Sequence, residues 1–375
     1  MAGEVLSDRE IKRLIEEEAI LNADLKLINP SSLDLRLGVK KWRLLGSILP
    51  LPNQTVNDLI ENSGVVDDKH FLISQFYIDK DQPYLFELNE SLNLPPGIYA
   101  RIFNKSGMGR IGTSVRGVVD NNPKFDDIPQ GYKGKLYSEV CATVFPEIVI
   151  GGQTSMPQIR FYNGYPQPLK GADLQLLLRH EPILLDSKDS PIIFSDEELN
   201  KIARKGTLMF TADLSRDLLV YKAKLDKKAI NIEKRNYYNP EDFFEEVKMK
   251  NEKKKIIIHP GEFVLIHSKE KIRLPPNYAA EISDYSSKIG DMKAHYAGLI
   301  NPGHGYDPNK ICGDHITFEV RARDIPICIQ DGQRLANFEI FRMSETPEIE
   351  YKKVQTTKFD SLHSILPKQF KKEEA

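Results

Sequence analysis

The chain has 375 residues, 40% of them hydrophobic and 28% charged, which is enough for about two ordinary domains with full cores. A net charge of -2 argues against a general attraction to nucleic acid, and the basic run Lys253 to Lys255 favours a solvated loop. No segment is long and apolar enough to span a bilayer, and residues 1–10 lack a basic patch followed by an apolar run. We therefore expect a cytoplasmic protein that binds neither membrane nor nucleic acid.

Two helix starts are visible in chain order. Ser7 can cap a helix over Ser7 to Ile20, with Glu10 three residues later, and the sequence from Ser195 to Ala203 repeats this pattern. Each helix precedes a short alternation of apolar and polar residues, Ser32 to Gly38 in the first half and Thr211 to Arg216 in the second. Alternation of this kind predicts a half-buried strand.

The rest of each half consists of short apolar runs broken by Pro, Gly, Asn and Asp. This punctuation predicts a mainly β fold, a barrel or a sandwich, with a few peripheral helices. The stretch Glu181 to Ser195 contains two prolines and several polar residues, which is typical of a linker. Beyond Leu366 we expect the chain to fray.

Three cysteines, Cys141, Cys312 and Cys328, show no CxxC spacing. This pattern argues against a disulfide framework and against a structural zinc site. Small buried thiols in a reducing compartment are the expectation.

An internal repeat connects the two halves. Leu94-Pro95-Pro96 recurs 180 residues later as Leu274-Pro275-Pro276, since 274 minus 94 is 180, and the same offset pairs Ser106 with Ser286 and Glu139 with Glu319. It also pairs Gly152-Gln153 with Gly332-Gln333. We predict two copies of one module, residues 1–190 and 191–375.

With these motifs in view, the sequence resembles the dCTP deaminases, in the long bacterial form that fuses two dUTPase-like modules. The resemblance rests on Pro30 to Gly38, Lys105 to Gly112 and Gly131 to Glu139, and continues through His259 to Leu265 and Asn301 to Gly303. It implies two tandem β-clip barrel modules with trimer-type packing in a homo-oligomer. It also implies a bound nucleoside triphosphate, dCTP or dUTP, that carries magnesium.

The resemblance places Ser106, Arg110 and Glu139 at the family's catalytic serine, arginine and glutamate. The second copy keeps Ser286 and Glu319 but has Gly290 at the arginine position. We therefore expect catalysis in the first module, with the second as scaffold and as a wall of the first site. Lys105 and Gly107 replace an arginine and a second serine of the family pattern.

Deamination of cytosine requires a group that takes a proton from water and returns protons to the ring and the amine, and a glutamate can do both. The zinc route has an H-x-E and P-C-x-x-C signature that is absent here, so we expect no zinc. Further substrate contacts are predicted for Lys105, Gly107, Tyr132, Asp126, Asp127 and Gln153. For Tyr132 the alternative is core packing, for the two aspartates a solvated turn, and for Gln153 and Gln333 the support of a turn. His295 and His304 lie near the second-module site, where ordinary surface or satisfied histidines are the commoner explanation.

Three functions fit the sequence. The leading one converts dCTP to dUTP and ammonia, which feeds thymidylate synthesis. The second hydrolyses dUTP, alone or after deamination in one site. The third is a nucleotide-binding regulator without turnover.

Overall fold

A computed structural model describes residues 3–71, 75–215, 220–225, 228–247, 254–283, 292–294, 297–351 and 365–371. Among these residues no helix is both long enough and apolar enough to cross a membrane. Strands dominate the described chain and helices are few, so the predicted mainly β fold is confirmed.

The first half begins with helix α1 (Asp8–Glu16), and its other helices are α2 (Val56–Asn62), α3 (Ser106–Gly109) and a 3-10 turn at Leu25–Leu27. Its strands are β1 (Ile20–Leu21), β2 (Ile28–Asn29), β3 (Ser32–Asp34), β4 (Leu37–Leu44), β5 (Val66–Phe71), β6 (Gln75–Ile78), β7 (Pro83–Asn93), β8 (Ile98–Asn104), β9 (Thr113–Val118), β10 (Asp127–Ile128), β11 (Lys133–Ala142), β12 (Glu147–Ile150) and β13 (Pro157–Asn163).

The second half has helices α4 (Gly171–His180) and α5 (Asp196–Lys205) and a 3-10 turn at Pro240–Asp242. Its strands are β14 (Leu184–Leu185), β15 (Leu208–Thr211), β16 (Val220–Ala223), β17 (Ile230–Asn231), β18 (Phe244–Val247), β19 (Lys255–Ile258), β20 (Val264–Ile272), β21 (Tyr278–Ser283), β22 (Met292–Lys293), β23 (Leu299–Ile300), β24 (Asp314–Ala322), β25 (Ile327–Gln330) and β26 (Arg334–Arg342).

The two predicted helix starts are confirmed. Ser7 and Ser195 each accept a bond from the backbone N–H three residues later, and the glutamate at that position bonds back to the cap. This reciprocal arrangement satisfies two backbone donors that a helix start leaves free. Helix α1 ends at Glu16, four residues before the predicted end at Ile20.

The sheets of the two halves follow one plan. One sheet runs β5-β4-β7-β11-β9 in the first half, with β1 on β7, and β18-β16-β20-β24-β22 in the second, with β14 on β20. A second sheet runs β10-β8-β13-β3-β2 in the first half and β15-β26-β21-β23 in the second. Glu139 and Glu319 therefore occupy equivalent inner strands, as the repeat predicts.

The boundary after residue 190 stays a prediction, and both hydrophobic cores contain side chains from each side of it. Leu169, Leu174 and Leu184 already pack in the core of the second half. Conversely, the first core includes side chains that come from beyond residue 220: Tyr221, Ile230, Ile232, Phe243, Phe244, Phe263, Leu265, Ile365, Leu366 and Phe370. The hydrophobic core of each module therefore includes side chains from outside the residues predicted for that module.

Residues 365–371 do not fray as the sequence predicts. Phe370 packs edge-on against Phe243 and Phe244, with ring centroids 5.5 and 5.4 Å away. Buried Gln369 accepts backbone bonds from Tyr237 and Tyr238. The prediction of fraying was wrong because it followed the polar composition of this segment. One aromatic side chain, Phe370, is enough to anchor the segment in the core.

A buried charge network joins the modules. The fully buried Arg160 guanidinium lies 3.0 Å from a carboxylate oxygen of Glu281, and it donates to the Ile300 carbonyl at 3.0 Å. The Tyr162 hydroxyl donates to the same carboxylate, and Arg101 meets its other oxygen at 3.1 Å. Because each buried charge has several partners, this network fixes how the modules face each other.

Candidate active site between the modules

The loop from Lys105 to Gly112 carries two of the predicted catalytic residues. It leaves β8, forms the single turn α3 and enters β9. A side chain at Gly112 would place its Cβ 2.1 Å from a methyl carbon of Val144, and φ there is +78°, so only glycine fits. A Cβ at Gly107 would meet no described residue within 4 Å, so the described part of the chain leaves this turn uncovered.

Ser106 lies on that open turn. Its backbone carbonyl accepts a bond from the Arg110 N–H at 3.0 Å, whereas its hydroxyl has no hydrogen-bond partner within the described chain. The hydroxyl is therefore available to water or to a ligand.

Lys105 is held beside the loop by the first module's own residues. Its ammonium lies 2.5 Å from a carboxylate oxygen of Asp34 and donates to the Ser155 hydroxyl at 3.3 Å. Asp34 also accepts a bond from Asn29 at 2.8 Å. The lysine is thus positioned at the base of α3 with its charge partly offset.

Glu139 is enclosed by a segment of its own module. The Ser47 hydroxyl donates to one carboxylate oxygen at 2.8 Å and the Ile48 N–H donates to the other at 2.9 Å. Ile48 belongs to a small core with Trp42, Val56 and Leu59. In the described parts of the chain no hydrogen bond or ion pair joins Glu139 to Arg110.

Arg110 instead reaches residues from the second half of the chain. Burial lowers the pKa of its guanidinium, while the charge of Glu319 and then Tyr351 act to raise it. The guanidinium also donates to the Ile365 carbonyl at 3.4 Å. Glu319, at 2% exposure, is as deeply buried as a core residue.

His304, Asp314 and Tyr351 complete this cluster, which we call the inter-module cluster together with Arg110 and Glu319. The His304 ring stacks on Tyr351 with centroids 5.0 Å apart, and Asp314 acts electrostatically on both. Burial lowers the pKa of His304, which keeps the imidazole neutral near pH 7.

The inter-module cluster holds unsatisfied polar atoms beside buried charges. Within the described residues, Nε2 of His304 and one carboxylate oxygen of Asp314 are buried without a hydrogen-bond partner. Native proteins leave few such atoms, and those that remain often mark functional sites. Together with the buried charges of Arg110 and Glu319, they make the cluster a candidate ligand site.

Lys293 lies at the edge of this cluster. Burial and the nearby Arg116 lower the pKa of its ammonium to about 8, whereas Glu319 raises it. Arg116 belongs to the first module and Glu319 to the second, so Lys293 marks a further point where the modules meet.

A second group of charges lies beyond Lys105. Burial lowers the pKa of Lys368 to about 8, and the like charges of Lys105 and Arg235 add to this effect. Opposite charges from Glu233 and Asp34 only partly compensate. We call Lys105, Arg235 and Lys368 the cationic cluster, and its excess positive charge suits a polyanion.

The remaining predicted substrate residues have partners inside the first module. The Tyr132 hydroxyl donates to the Lys135 carbonyl at 2.8 Å, and burial raises its pKa. Asp126 pairs with Arg116 at 2.7 Å, and Asp127 accepts from the Tyr99 hydroxyl at 2.5 Å.

Gln153 lies exposed in the turn after β12, where its backbone N–H bonds to the Ile150 carbonyl. At the equivalent turn the Gln333 side chain accepts from the Gln330 N–H at 3.1 Å, as expected for a turn-supporting role. Ser286, Gly290 and His295 lie outside the described residues.

Comparison with known proteins decides the family. The N-terminal domain model of 2'-deoxycytidine 5'-triphosphate deaminase matches residues 2–165, and the C-terminal domain model matches residues 179–370. The chain belongs to the dCTP deaminase family.

Relatives agree with this assignment. A protein named dCTP deaminase, dUMP-forming, from Methanosphaera stadtmanae is 30% identical over 146 residues, which cover 36% of this chain and 67% of the relative. One of the same name from Corynebacterium efficiens is 33% identical over 98 residues, 25% of this chain and 47% of the relative. The chain thus matches about half the length of that relative.

A solved structure extends the similarity to nearly the whole chain. The 2'-deoxycytidine 5'-triphosphate deaminase from Agrobacterium tumefaciens superposes with a TM-score of 0.80 at 27% identity, covering 92% of this chain and 100% of that one. These findings confirm the predicted family and its dUTPase-like fold, and they indicate a deaminase that acts on dCTP.

In this member of the dCTP deaminase family, the sequence identified Ser106, Arg110 and Glu319 as candidate site residues. It did not show that Glu319 of the second half is an electrostatic partner of Arg110 of the first. It did not single out Tyr351, Lys368, Arg235 or Asp314 as site residues. Tyr351 and Lys368 follow the last repeated motif, and Arg235 lies in a segment without a repeat partner, so no spacing signal pointed to them. The offset of 180 aligns Asp314 with Gly134, so the repeat did not point to Asp314 either.

Proposed function

We propose that this chain hydrolyses dCTP to dUTP and ammonia at the inter-module cluster, with Glu319 as the proton carrier. Arg110 of the first module is its electrostatic partner, and Ser106 lies on the same loop as Arg110. The observation that carries the proposal is that Arg110 has Glu319 as its electrostatic partner, whereas Glu139 is bonded to Ser47 and Ile48. Glu139, the carboxylate favoured by the sequence, remains the competing candidate.

The reaction adds water to C4 of cytosine. Glu319 takes one proton from the water as its oxygen bonds to C4, and it passes that proton to N3. A second proton from the new hydroxyl reaches the amino group, the C4–N4 bond breaks, and ammonia leaves as the C4 carbonyl forms. The products, dUTP and ammonia, balance dCTP and water.

Arg110 and Ser106 have positioning and electrostatic roles in this scheme. The free Ser106 hydroxyl can orient the water, and the Arg110 guanidinium can stabilise negative charge that develops during its addition. A single well-placed donor is worth roughly 3 kcal/mol in such sites. Neutral His304 adds no charge beside the neutral base.

The cationic cluster suits the triphosphate. Lys105 lies immediately before Ser106, and Lys368 follows Ile365, whose carbonyl accepts from Arg110, so chain connectivity links both clusters. Magnesium would reach the site on phosphate oxygens, where it neutralises charge. In the described residues no three His, Cys, Asp or Glu side chains gather to hold a metal, and a metal bound by the nucleotide needs no such group.

A second candidate is further cleavage of dUTP to dUMP and pyrophosphate. The observation in its favour is that the relatives from Methanosphaera stadtmanae and Corynebacterium efficiens are named dUMP-forming. The cationic cluster would stabilise the leaving pyrophosphate in that reaction.

One experiment tests both candidates. The purified chain is incubated with dCTP or dUTP and magnesium, ammonia is quantified, and nucleotides are separated by chromatography. We expect ammonia and dUTP from dCTP, and dUMP with pyrophosphate if the second activity is present.

Arg110→Met should reduce ammonia release at least a hundredfold. Arg43→Met removes a similar side chain from an exposed pair with Asp67 and should leave the rate unchanged. Full activity of Arg110→Met, or no ammonia from the unmodified chain, would contradict the proposal.

A further inference from the structure

A buried acid lies beneath the catalytic loop and has no part in the proposed chemistry. Glu147, on β12, is fully buried, and one of its carboxylate oxygens has no hydrogen-bond partner among the described residues. The other oxygen is hydrogen bonded to the Thr113 hydroxyl. An ionised carboxylate with a single partner at such a site is very unfavourable, so the acid is held neutral.

Thr113 and Asn104 are the two residues that border the loop. Asn104 ends β8 directly before Lys105, and Thr113 begins β9 directly after Gly112. The Asn104 side-chain amide donates to the Thr113 carbonyl at 2.7 Å, which ties the ends of the loop together. Glu147 supports this connection because its carboxyl group is hydrogen bonded to the Thr113 hydroxyl.

Glu147 is also tied to chain from the second half. It pairs with Ile78 of β6 on one side and with Ile230 of β17 on the other. These neighbours exclude water from the acid and leave it little freedom to turn away. A change in its charge would therefore be transmitted to Thr113.

The geometry points to Glu147 as a positioning residue: in its protonated form it fixes Thr113 and, through the tie to Asn104, sets the loop that presents Ser106 and Arg110. Ionisation disturbs this arrangement, because the anion has one oxygen without a donor among the described residues, in a site closed to water, and Thr113 and its neighbours must shift to supply one. The inference rests on the proposed catalytic role of that loop.

The charge of Glu147 should change in an accessible pH range. Burial raises its pKa to about 8, and the bond from Thr113 offsets only part of this rise. The acid is protonated below that pH and ionised above it. Deamination should therefore slow as pH rises through about 8, and it should do so in kcat, since the loop positions catalytic groups.

Several charged or titratable groups lie on the elements around β12. Burial raises the pKa of the Cys141 thiol on β11 to about 12, and the charges of Asp81, Glu139 and Glu147 add to this rise while Arg321 opposes it. Tyr77 on β6 is exposed. Other such groups near β12 are Glu139 with Ser47, Asp79 with Tyr84, Glu233 with Thr154, and Lys228 with Asp242. Among the described residues no ionic group is a principal cause of the shift at Glu147.

Two lysines also have pKa values lowered to about 8, so their effects on the pH dependence of the rate must be distinguished from the effect of Glu147. Lys368 belongs to the cationic cluster, so its deprotonation should raise KM for dCTP rather than lower kcat. Lys293, at the edge of the inter-module cluster, is unaffected by a substitution at position 147. A change of the kcat profile in a Glu147 variant therefore reports on Glu147 alone.

The test measures kcat at saturating dCTP from about pH 6 to 9.5 for the unmodified chain, Glu147→Gln and Thr113→Val. Gln is close in shape to protonated Glu, so we expect kcat at neutral pH within about twofold and no fall between pH 7.5 and 9. Thr113→Val removes the hydroxyl that joins Glu147 to the loop. It should lower kcat about tenfold or more at neutral pH, with KM nearly unchanged.

An unmodified chain without the alkaline fall in kcat, or Glu147→Gln with the same fall, would overturn the inference. So would unchanged kcat in Thr113→Val. Failure of the proposed function has a different signature, since Arg110→Met would then retain activity whatever Glu147 does.

Discussion

Glu319→Gln and Glu139→Gln, measured side by side, form the sharpest test of the site. Each substitution replaces a carboxylate with a neutral amide of similar shape. If Glu319 is the proton carrier, its loss should reduce kcat by roughly 10²- to 10⁴-fold, the usual range for a general acid or base. Because Glu319 and Glu139 are repeat equivalents, each variant is the matched control of the other.

The structure predicts a different effect for Glu139→Gln. Glu139 accepts one bond from Ser47 and one from Ile48. A glutamine can keep its oxygen on the Ile48 N–H and donate its amide to the exposed Ser47 hydroxyl, which can turn to accept. The two bonds then lose only the contribution of the carboxylate charge, about 1 kcal/mol. For a unit of this size that lowers Tm by roughly 2 to 4 °C, with kcat nearly unchanged below the transition.

The assay follows ammonia release at saturating dCTP, at a temperature where circular dichroism shows both variants fully folded. Thermal melts then measure the loss of stability. A thousandfold loss in Glu139→Gln with an intact fold would refute the reasoning and return catalysis to the carboxylate that the sequence favours. Equal losses in both variants would show two working sites.

Three further outcomes follow from the same geometry. Lys368→Met should raise KM for dCTP about tenfold at pH 7 with kcat unchanged, because the triphosphate loses a cation. In the unmodified chain KM should rise above pH 8, where the Lys368 ammonium loses its charge, and the variant should not show this rise. Initial rates measured across this pH range give both results. Removal of magnesium should raise KM while a zinc-selective chelator has no effect, and activity that is lost to that chelator and restored by zinc would contradict this. Arg160→Met should lower the free energy of unfolding by about 3–5 kcal/mol, because it leaves Glu281 buried with one charged partner fewer, and urea titration measures the loss.

Local signals predicted the fold well. The caps at Ser7 and Ser195 depend on residues three positions apart, and the strand pattern depends on alternation within a few residues, so both can be read from sequence. The offset of 180 correctly placed Glu139 and Glu319 on equivalent strands. The additional helices α2 and α4 were not predicted. Helix α2 has a capping box at Thr55 and Asp58 but only 7 residues, too few to show an apolar period, and α4 has no side-chain cap.

The arrangement of the site was harder to predict. A repeat shows which residues are equivalent but not which of them face each other, so the sequence grouped Arg110 with the glutamate of its own copy. In the structure Arg110 has Glu319, more than 200 positions further along the chain, as an electrostatic partner. Ser47 and Ile48, which donate to Glu139, lie in a loop. The composition of this loop does not differ from that of an ordinary polar connection between strands, so nothing in the sequence indicated this contact.

The return of residues 365–371 to the first core has a consequence for synthesis of the protein. Phe370 packs with Phe243 and Phe244, and Ile365 supplies the carbonyl that Arg110 contacts. During synthesis the first module cannot close its core when its own repeat has emerged from the ribosome, because residues 365–371 are made much later. A chain that lacks these residues would carry the loop of Ser106 and Arg110 without the segment that secures it.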